Sequence, residues 1–353
     1  GPFMLREVVR TPAGLISQYR LSRFAAYQPQ PNIREVVVHF FAEEAAVYDA
    51  LRNGTITHTA ALSQEYVATL HERFAVYETP SPRVFALYPN QNRSAVLRDQ
   101  AVREALHLAI DRDALVAEVL AGFGRATATP LPAGFGSSTA TATSQQIEAA
   151  TTALLAGGWI QQEDGGWSKE IDDVDVPLSL TITTANAPLF EKTAMFVSEA
   201  WEALGVDVSV ALYEQADLVQ AVIRPRDYEL LLFGTDVGRS LDFYPFWHSS
   251  QREDPGLNVA FYTNITTDDL LEEYRTTNDA AEQAQILESF ITTVTDEMPA
   301  IFLFNPTFTY VTTSDTPLHI PERLGRPSAR FATISTWHVD AEQMWPISIN
   351  NES

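Results

Sequence analysis

The 353-residue sequence contains no cysteine. That excludes disulfides, thiol catalysis and thiolate metal sites. It fits an exported protein that avoids stray oxidation, and a cytosolic one equally. Positive charge is scarce: 23 Lys and Arg stand against 46 Asp and Glu, for a formal net charge of −23. Such a chain repels phosphate backbones and anionic membrane surfaces, so no nucleic acid is expected as a partner. Solubility is the plainest consequence of the charge. No apolar run reaches the roughly 18 residues a membrane-spanning helix needs, and no signal peptide is visible. Catalytic and cofactor signatures are missing too. "GFGRAT" (122–127) lacks the third glycine and the preceding strand of a dinucleotide loop. There is no phosphate-binding Lys-Ser/Thr motif, no His-Glu-x-x-His and no Gly-x-Ser-x-Gly. "DDVDV" (172–176) has aspartates without the glycine and terminal glutamate of a calcium loop. No cofactor is expected.

What is present is an ordinary globular composition, 45% hydrophobic and 20% charged. The length suits two lobes. "FMLREVVRTPAGLISQYRLSRF" reads as a hairpin turning at Thr11-Pro12-Ala13-Gly14, and "REVVVHFF" as an apolar strand. "AEEAAVYDALRNG" reads as a helix stopped by Gly54, and Ser63 is placed to cap "QEYVATLHERF". "PRVFALYP" (82–89) is another strand. Asp99 and Asp111 or Asp113 can cap two helices in "RDQAVREALHLAIDRDALVAEVLAGFG", with Gly122 at the end. Residues 123–143 read as a long loop, Ser144 as the cap of "QQIEAATTALLA", and 161–177 as a polar, acidic stretch.

The clearest pattern follows. "VPLSLTITT" is a strand, and "PLFEKTAMFVSEAWEALG" is an amphipathic helix from Pro188 to Gly205. "VDVSVALY" alternates with period two, "EQADLVQAVI" is helical, and "DYELLLFG" is a third strand. A β-α-β-α-β succession predicts parallel strands in an α/β layer. Ligands bind such sheets in the loops beyond the carboxyl ends of the strands. The loop 234–250, "GTDVGRSLDFYPFWHSS", lies there. Two helices broken around Asn278, a hydrophobic strand "AIFLFNPTFTYVTT" and a partly strand-like aromatic tail, "RFATISTWHVDAEQMWP", complete the chain.

Each candidate residue in that loop has a chemical reading and a plainer one. Tyr244, Phe246 and Trp247 can wall an apolar site or pack inside a lobe. Arg239 can hold a carboxylate with its planar fork, or remain a solvated or salt-bridged loop residue. Asp236 and Asp242 can meet a ligand or cap a turn. His248 has no partner at metal-motif spacing and reads as a hydrogen-bonded structural histidine. Asn90 ends the strand "VFALYPN", where a turn residue is the local reading.

The order of segments resembles the family 5 extracellular solute-binding proteins of ABC importers, the peptide- and nickel-binding type. "LRDQAVREALHLAIDRDALVAEVLAGFGRATATPLPAG", "ATTALLAGGW", "EALGVDVSV", "RDYELLLFGTDVGRSLDFYPFWHSSQ", "GLNVAFYTNITTDDLLEEYRTTND" and "DEMPAIFLFNPTFTYV" carry the resemblance. "YDALRNGTI" resembles an earlier motif, with Thr55 and Thr57 in place of acidic residues. The resemblance implies an α/β fold of the periplasmic-binding-protein kind, type II, with two lobes and hinge crossovers near Tyr88–Asn92 and Pro299–Asn305. Residues 92–300 would form one lobe; 1–91 with 301–353 would form the other. Family members are longer, and a Gly-Pro-aromatic strand like Gly1-Pro2-Phe3 follows a segment of the first lobe and a third domain in them. The chain is therefore expected to be a later part of a longer protein, its first lobe incomplete. A signal or lipid-anchor cysteine would lie in the missing part.

The resemblance further implies a solute, most readily an oligopeptide, bound between the lobes, with no catalysis. The partner would be a membrane ABC permease and the location extracytoplasmic. In peptide-binding relatives a loop aspartate pairs with the ligand α-ammonium, which suits Asp236 or Asp242 in a closed cleft. An asparagine near position 90 belongs to the crossover and faces the cleft, and one near 258 follows the loop; Asn258 is read as fixing backbone. Exposed first-lobe edges invite dimerisation. Two alternatives stand: a ligand-sensing domain of a transcription regulator, and an acid-base hydrolase using Asp236 and Asp242, for which no nucleophile or oxyanion motif exists.

Overall fold

A computed structural model describes residues 1–70, 73–134, 146–238, 240–313, 324 and 326–338. It divides into two units, Gly1–Thr79 with the described residues from Phe308 onward, and Pro80–Thr307. The breaks at 79/80 and 307/308 differ from the boundaries at 91/92 and 300/301 expected from the sequence. Sheet membership is the reason: residues 83–89 and 301–306 are hydrogen-bonded into the sheet of the larger unit.

In the smaller unit, β1 (Phe3–Arg10), β2 (Ile16–Arg23) and β3 (Glu35–His39) form an antiparallel sheet. Thr11–Gly14 makes the expected turn, with Gly14 N–H donating to Thr11 O at 2.9 Å. Leu5, Leu15 and Phe40 remain exposed on or beside this sheet. α1 (Glu44–Arg52) buries Val47, Ala50 and Leu51, the i, i+3, i+4 stripe of an amphipathic helix. β4 (His58–Thr59), α2 (Gln64–Ala68) and β5 (Phe74–Pro80) follow. Ser63 precedes α2 without a side-chain cap bond; its N–H is held by the Glu44 carboxylate.

The larger unit opens with β6 (Arg83–Pro89), α3 (Gln100–Leu108), α4 (Arg112–Val119) and β7 (Gly124–Ala126). Asp99 and Asp111 cap α3 and α4, accepting from Ala101 N–H at 3.0 Å and Ala114 N–H at 2.9 Å. α5 (Ile147–Ala156) begins after Gln146; the expected Ser144 cap lies outside the described residues. The polar, acidic stretch carries a small antiparallel sheet, β8 (Ile160–Gln161), β9 (Trp167–Ile171) and β10 (Val174–Pro177). Then come β11 (Ser179–Ala185), α6 (Pro188–Glu202) and β12 (Asp207–Tyr213). Gly205 ends the α6 turn at φ +93°, where a Cβ would come within 2.2 Å of Gly165 O. The next expected helix is a single α-turn, α7 (Gln215–Asp217), continued by π-helical Leu218–Ile223. β13 (Leu230–Asp236), α8 (Tyr244–Trp247), α9 (Ile265–Thr276), α10 (Ala280–Glu297) and β14 (Ile301–Thr313) complete it.

The sheet order within this unit is β12-β11-β13-β6-β14, with β7 also on β14. β11 pairs parallel with β12 and with β13, as the β-α-β-α-β pattern requires. β6 and β13 are antiparallel in continuous register from Leu230↔Pro89 to Asp236↔Arg83. Both faces are covered, so central strands alternate between two cores. Phe85 and Leu87 face the α3–α6 side, while Val84, Ala86 and Tyr88 face the α8–α10 side. β14 leaves this unit after Thr307 and in the smaller unit pairs with β4 through Val311↔Thr59. The tail read as partly strand-like is, in its described part, a 3₁₀ run over Pro327–Thr336.

Candidate ligand-binding site

β13 carries an apolar run buried on both faces and ends on Asp236, so the loop that follows emerges at the carboxyl end of the parallel strands. Asp236 is the last paired residue, directly across from Arg83. Its Oδ1 accepts from Gly238 N–H at 3.0 Å, an Asx-type turn in which Gly238 takes φ +64°. Its Oδ2 lies 3.4 Å from Arg83 Nη2, and both side chains are about half exposed, 40% and 46%. An exposed, single-contact pair of this kind contributes at most about 1 kcal/mol. The carboxylate is thus oriented yet readily exchanged onto another cation.

Asp242 is committed. Arg275, at the end of α9, donates Nε to Oδ1 at 2.9 Å and Nη2 to Oδ2 at 2.6 Å. The same guanidinium lies 3.8 Å from the Tyr244 ring centroid. The Asp242 hydrogen bonds hold the Arg275 guanidinium above its ordinary pKa. Asp242 Oδ1 also accepts from Tyr244 N–H at 3.3 Å, and Tyr274 donates its hydroxyl to Ser240 O at 3.2 Å. α9 therefore pins the loop from its C-terminal turn. Leu241, at φ +53°, is held in the left-handed region with its side chain in the core. Arg275→Met is expected to raise amide hydrogen exchange at 240–244 at least threefold and to cost about 1 kcal/mol. Exchange mass spectrometry checks this, with protection of β6 and β13 unchanged.

The aromatics divide. Trp247 is only 2% exposed and packs among Tyr88, Tyr262 and Phe302 at ring distances of 6.2, 6.0 and 5.9 Å. That is the packing reading rather than a ligand wall. Tyr244 is half-buried and stacks on His248 at 4.1 Å. His248 is the expected structural histidine: its Nδ1 accepts from Ser250 N–H at 3.1 Å, which places the ring proton of the neutral form on Nε2. Asn90 is buried within a turn, where its Nδ2 donates to Arg226 O at 3.0 Å and its Oδ1 accepts from Asn92 N–H at 3.1 Å. It faces backbone partners of its own unit. Asn258, fully buried, bonds Tyr262 through both ends of its amide, as a backbone-fixing residue should. Arg239 lies outside the described residues.

Three arginines with no local sequence signature organise this loop. Arg83 faces Asp236, Arg275 grips Asp242, and Arg226 donates to Arg252 O at 3.1 Å and Gly256 O at 2.7 Å, closing the loop behind α8. Their partners are 153, 33 and about 30 residues away, so no local spacing marks them. Their one sequence signal is rarity of positive charge in an acidic chain.

An α/β sheet with parallel strands and helices on both faces places the loop after β13 where such folds hold ligands. The family described as bacterial extracellular solute-binding proteins, family 5 (middle), matches residues 1–255, and the chain belongs to that family. It is 26% identical over 220 residues to the oligopeptide-binding protein AppA of Bacillus subtilis, covering 61% of this chain and 40% of that protein. The match thus spans about two fifths of that relative's length. The structure of B. subtilis AppA in complex with a nonapeptide matches with a TM-score of 0.70 at 21% identity, over 97% of this chain and 66% of that one. NikA of Brucella suis in complex with Fe(III)-EDTA matches with a TM-score of 0.79 at 17% identity, over 96% and 68%. The fold is that of type II periplasmic binding proteins, as the sequence resemblance implied.

Proposed function

We propose that the chain is the solute-recognising part of an ABC importer binding protein, working outside the cytoplasm with a membrane permease, and that its solute is an oligopeptide. The observation that carries the reading is Asp236: a half-exposed carboxylate, fixed by Gly238 N–H, at the carboxyl end of β13. Its weak Arg83 partner is exchangeable for a peptide α-ammonium, whereas Asp242 is held in a bidentate pair. The naming of AppA as oligopeptide-binding supports the same choice. Among the described residues no group of three or more His, Asp or Glu could hold a metal ion. No described helix is long and apolar enough to cross a membrane.

The test is calorimetric titration of the purified protein with short unmodified peptides. Asp236→Asn is expected to weaken binding about 10- to 100-fold, roughly 1.4–2.8 kcal/mol, with an unchanged melting temperature. Asp242→Asn is expected to act on stability first, because it strands Arg275. Equal affinity in Asp236→Asn and the parent protein would remove Asp236 from the site.

A further inference from the structure

The smaller unit holds an aromatic cluster that the Asp236 loop does not use. Phe308 and Tyr310 are two apart on β14 and share a face, their rings 6.5 Å apart. Tyr310 also stacks on His58 at 6.0 Å and meets Trp337 at 6.3 Å. Trp337 in turn meets Phe331 at 5.8 Å. One cation lies on these rings. Arg330 Cζ is 4.1 Å from the Phe331 centroid, 5.5 Å from Tyr310 and 5.7 Å from Phe308. Its Nη1 donates to Pro327 O at 2.7 Å, and its Nε is buried without a hydrogen-bond partner. Among the described residues no carboxylate pairs with it. Burial lowers the pKa of the guanidinium and raises that of the Tyr310 phenol, and each group opposes the shift of the other. A guanidinium desolvated onto aromatic faces is held by the ring quadrupoles.

Pro327–Thr336 is a ten-residue 3₁₀ run that buries none of its own residues. Such runs are uncommon beyond about four residues, because the hydrogen-bond geometry is poor. Its contacts include Arg330 on the rings, the buried Trp337 just after it, and a bond from Asn32 Nδ2 to Thr336 O at 3.3 Å.

We propose that the faces of Phe308 and Tyr310, completed by Phe331 and backed by Trp337 through its ring contacts with Tyr310 and Phe331, form a second binding site for organic cations of the alkylguanidinium class. Arg330 occupies it as an intramolecular stand-in, and a guanidinium-bearing solute enters by displacing that side chain. The site is independent of the Asp236 reading, since it lies wholly in the smaller unit.

The probe is methylguanidinium at constant ionic strength, with sodium chloride as the control. By saturation-transfer NMR, Arg330→Ala is expected to bind it in the millimolar range, at least tenfold more tightly than the parent protein. Tyr310→Leu added to Arg330→Ala should abolish the signal. A folded Arg330→Ala protein that binds no methylguanidinium overturns the proposal. Should Arg330→Ala not fold, hydrogen exchange of the parent protein decides. Methylguanidinium is expected to speed exchange at 327–336 at least threefold over sodium chloride, and an unchanged rate overturns the proposal.

Discussion

Trp247→Ala is expected to destabilise the larger unit by about 3–5 kcal/mol and to lower its melting temperature by roughly 10 °C. The side chain is among the largest that are fully buried, and Tyr88, Tyr262 and Phe302 surround it. Its removal leaves a cavity between β6, β14 and the segment after α8, and a close-packed interior relaxes only partly around such a void. Solute affinity of the folded fraction, measured well below the transition, should change less than threefold. Chemical denaturation and calorimetry on the same variant separate the two effects. A stable variant with lost affinity would move Trp247 from the core to the ligand.

Arg112→Met is expected to cost about 3 kcal/mol at neutral pH. Arg112 is fully buried, and its Nε donates to Phe302 O at 2.7 Å, across 190 residues of sequence. Nη1 donates to His107 O at 3.1 Å, and Nη2 to His107 Nδ1 at 3.0 Å. Methionine fills the volume but leaves these acceptors unpaired in the core, at about 1–3 kcal/mol each. The relief of no longer burying a cation offsets part of that loss.

The same contact gives stability a pH dependence. Burial, with the Arg112 charge adding to it, pulls the His107 pKa down from 6.5 to about 3. Between these values the unfolded chain binds a proton that the folded chain does not. Stability from this group is therefore full above about pH 6.5 and falls as pH drops toward 3, by up to about 1.4 kcal/mol per pH unit. Urea melts at pH 7 and pH 5 should differ by about 2 kcal/mol in the parent protein and by less in Arg112→Met. Identical pH dependence in the two would show that His107 is not held neutral by this contact.

Much of the fold could be read from residues whose signals are local. "VFALYP" (84–89) is continuously apolar because β6 is buried on both faces after Arg83. Pro188 and Gly205 bracket α6, and Asp99 and Asp111 mark helix starts with the cap bonds their side chains make. The sheet β8–β10 was not legible, because its anchors are tertiary. Trp159 Nε1 and Lys169 Nζ both donate to Asp99 Oδ2, at 3.0 and 2.7 Å, from 60 and 70 residues away. The same limit applied to the site. The carboxyl end of β13 could be placed from the β-α-β-α-β pattern, but Asp236 and Asp242 looked alike in sequence. Only the strand register that sets Asp236 against Arg83, and the α9 turn that sets Arg275 against Asp242, give them different chemistry. Trp247 was ambiguous for a related reason: an aromatic after a loop can face either way, and the turn of α8 decides.

The most direct measurement compares one peptide with its Nα-acetylated form, in the parent protein and in Asp236→Asn. Acetylation replaces the ammonium by a neutral amide bearing an acetyl group, and the Asp236→Asn arm separates the loss of charge from the added bulk. Acetylation is expected to weaken binding at least tenfold, about 1.4 kcal/mol, in the parent protein and to have little further effect in Asp236→Asn. Equal binding of the free and acetylated peptides by the parent protein would show that Asp236 does not hold a peptide ammonium.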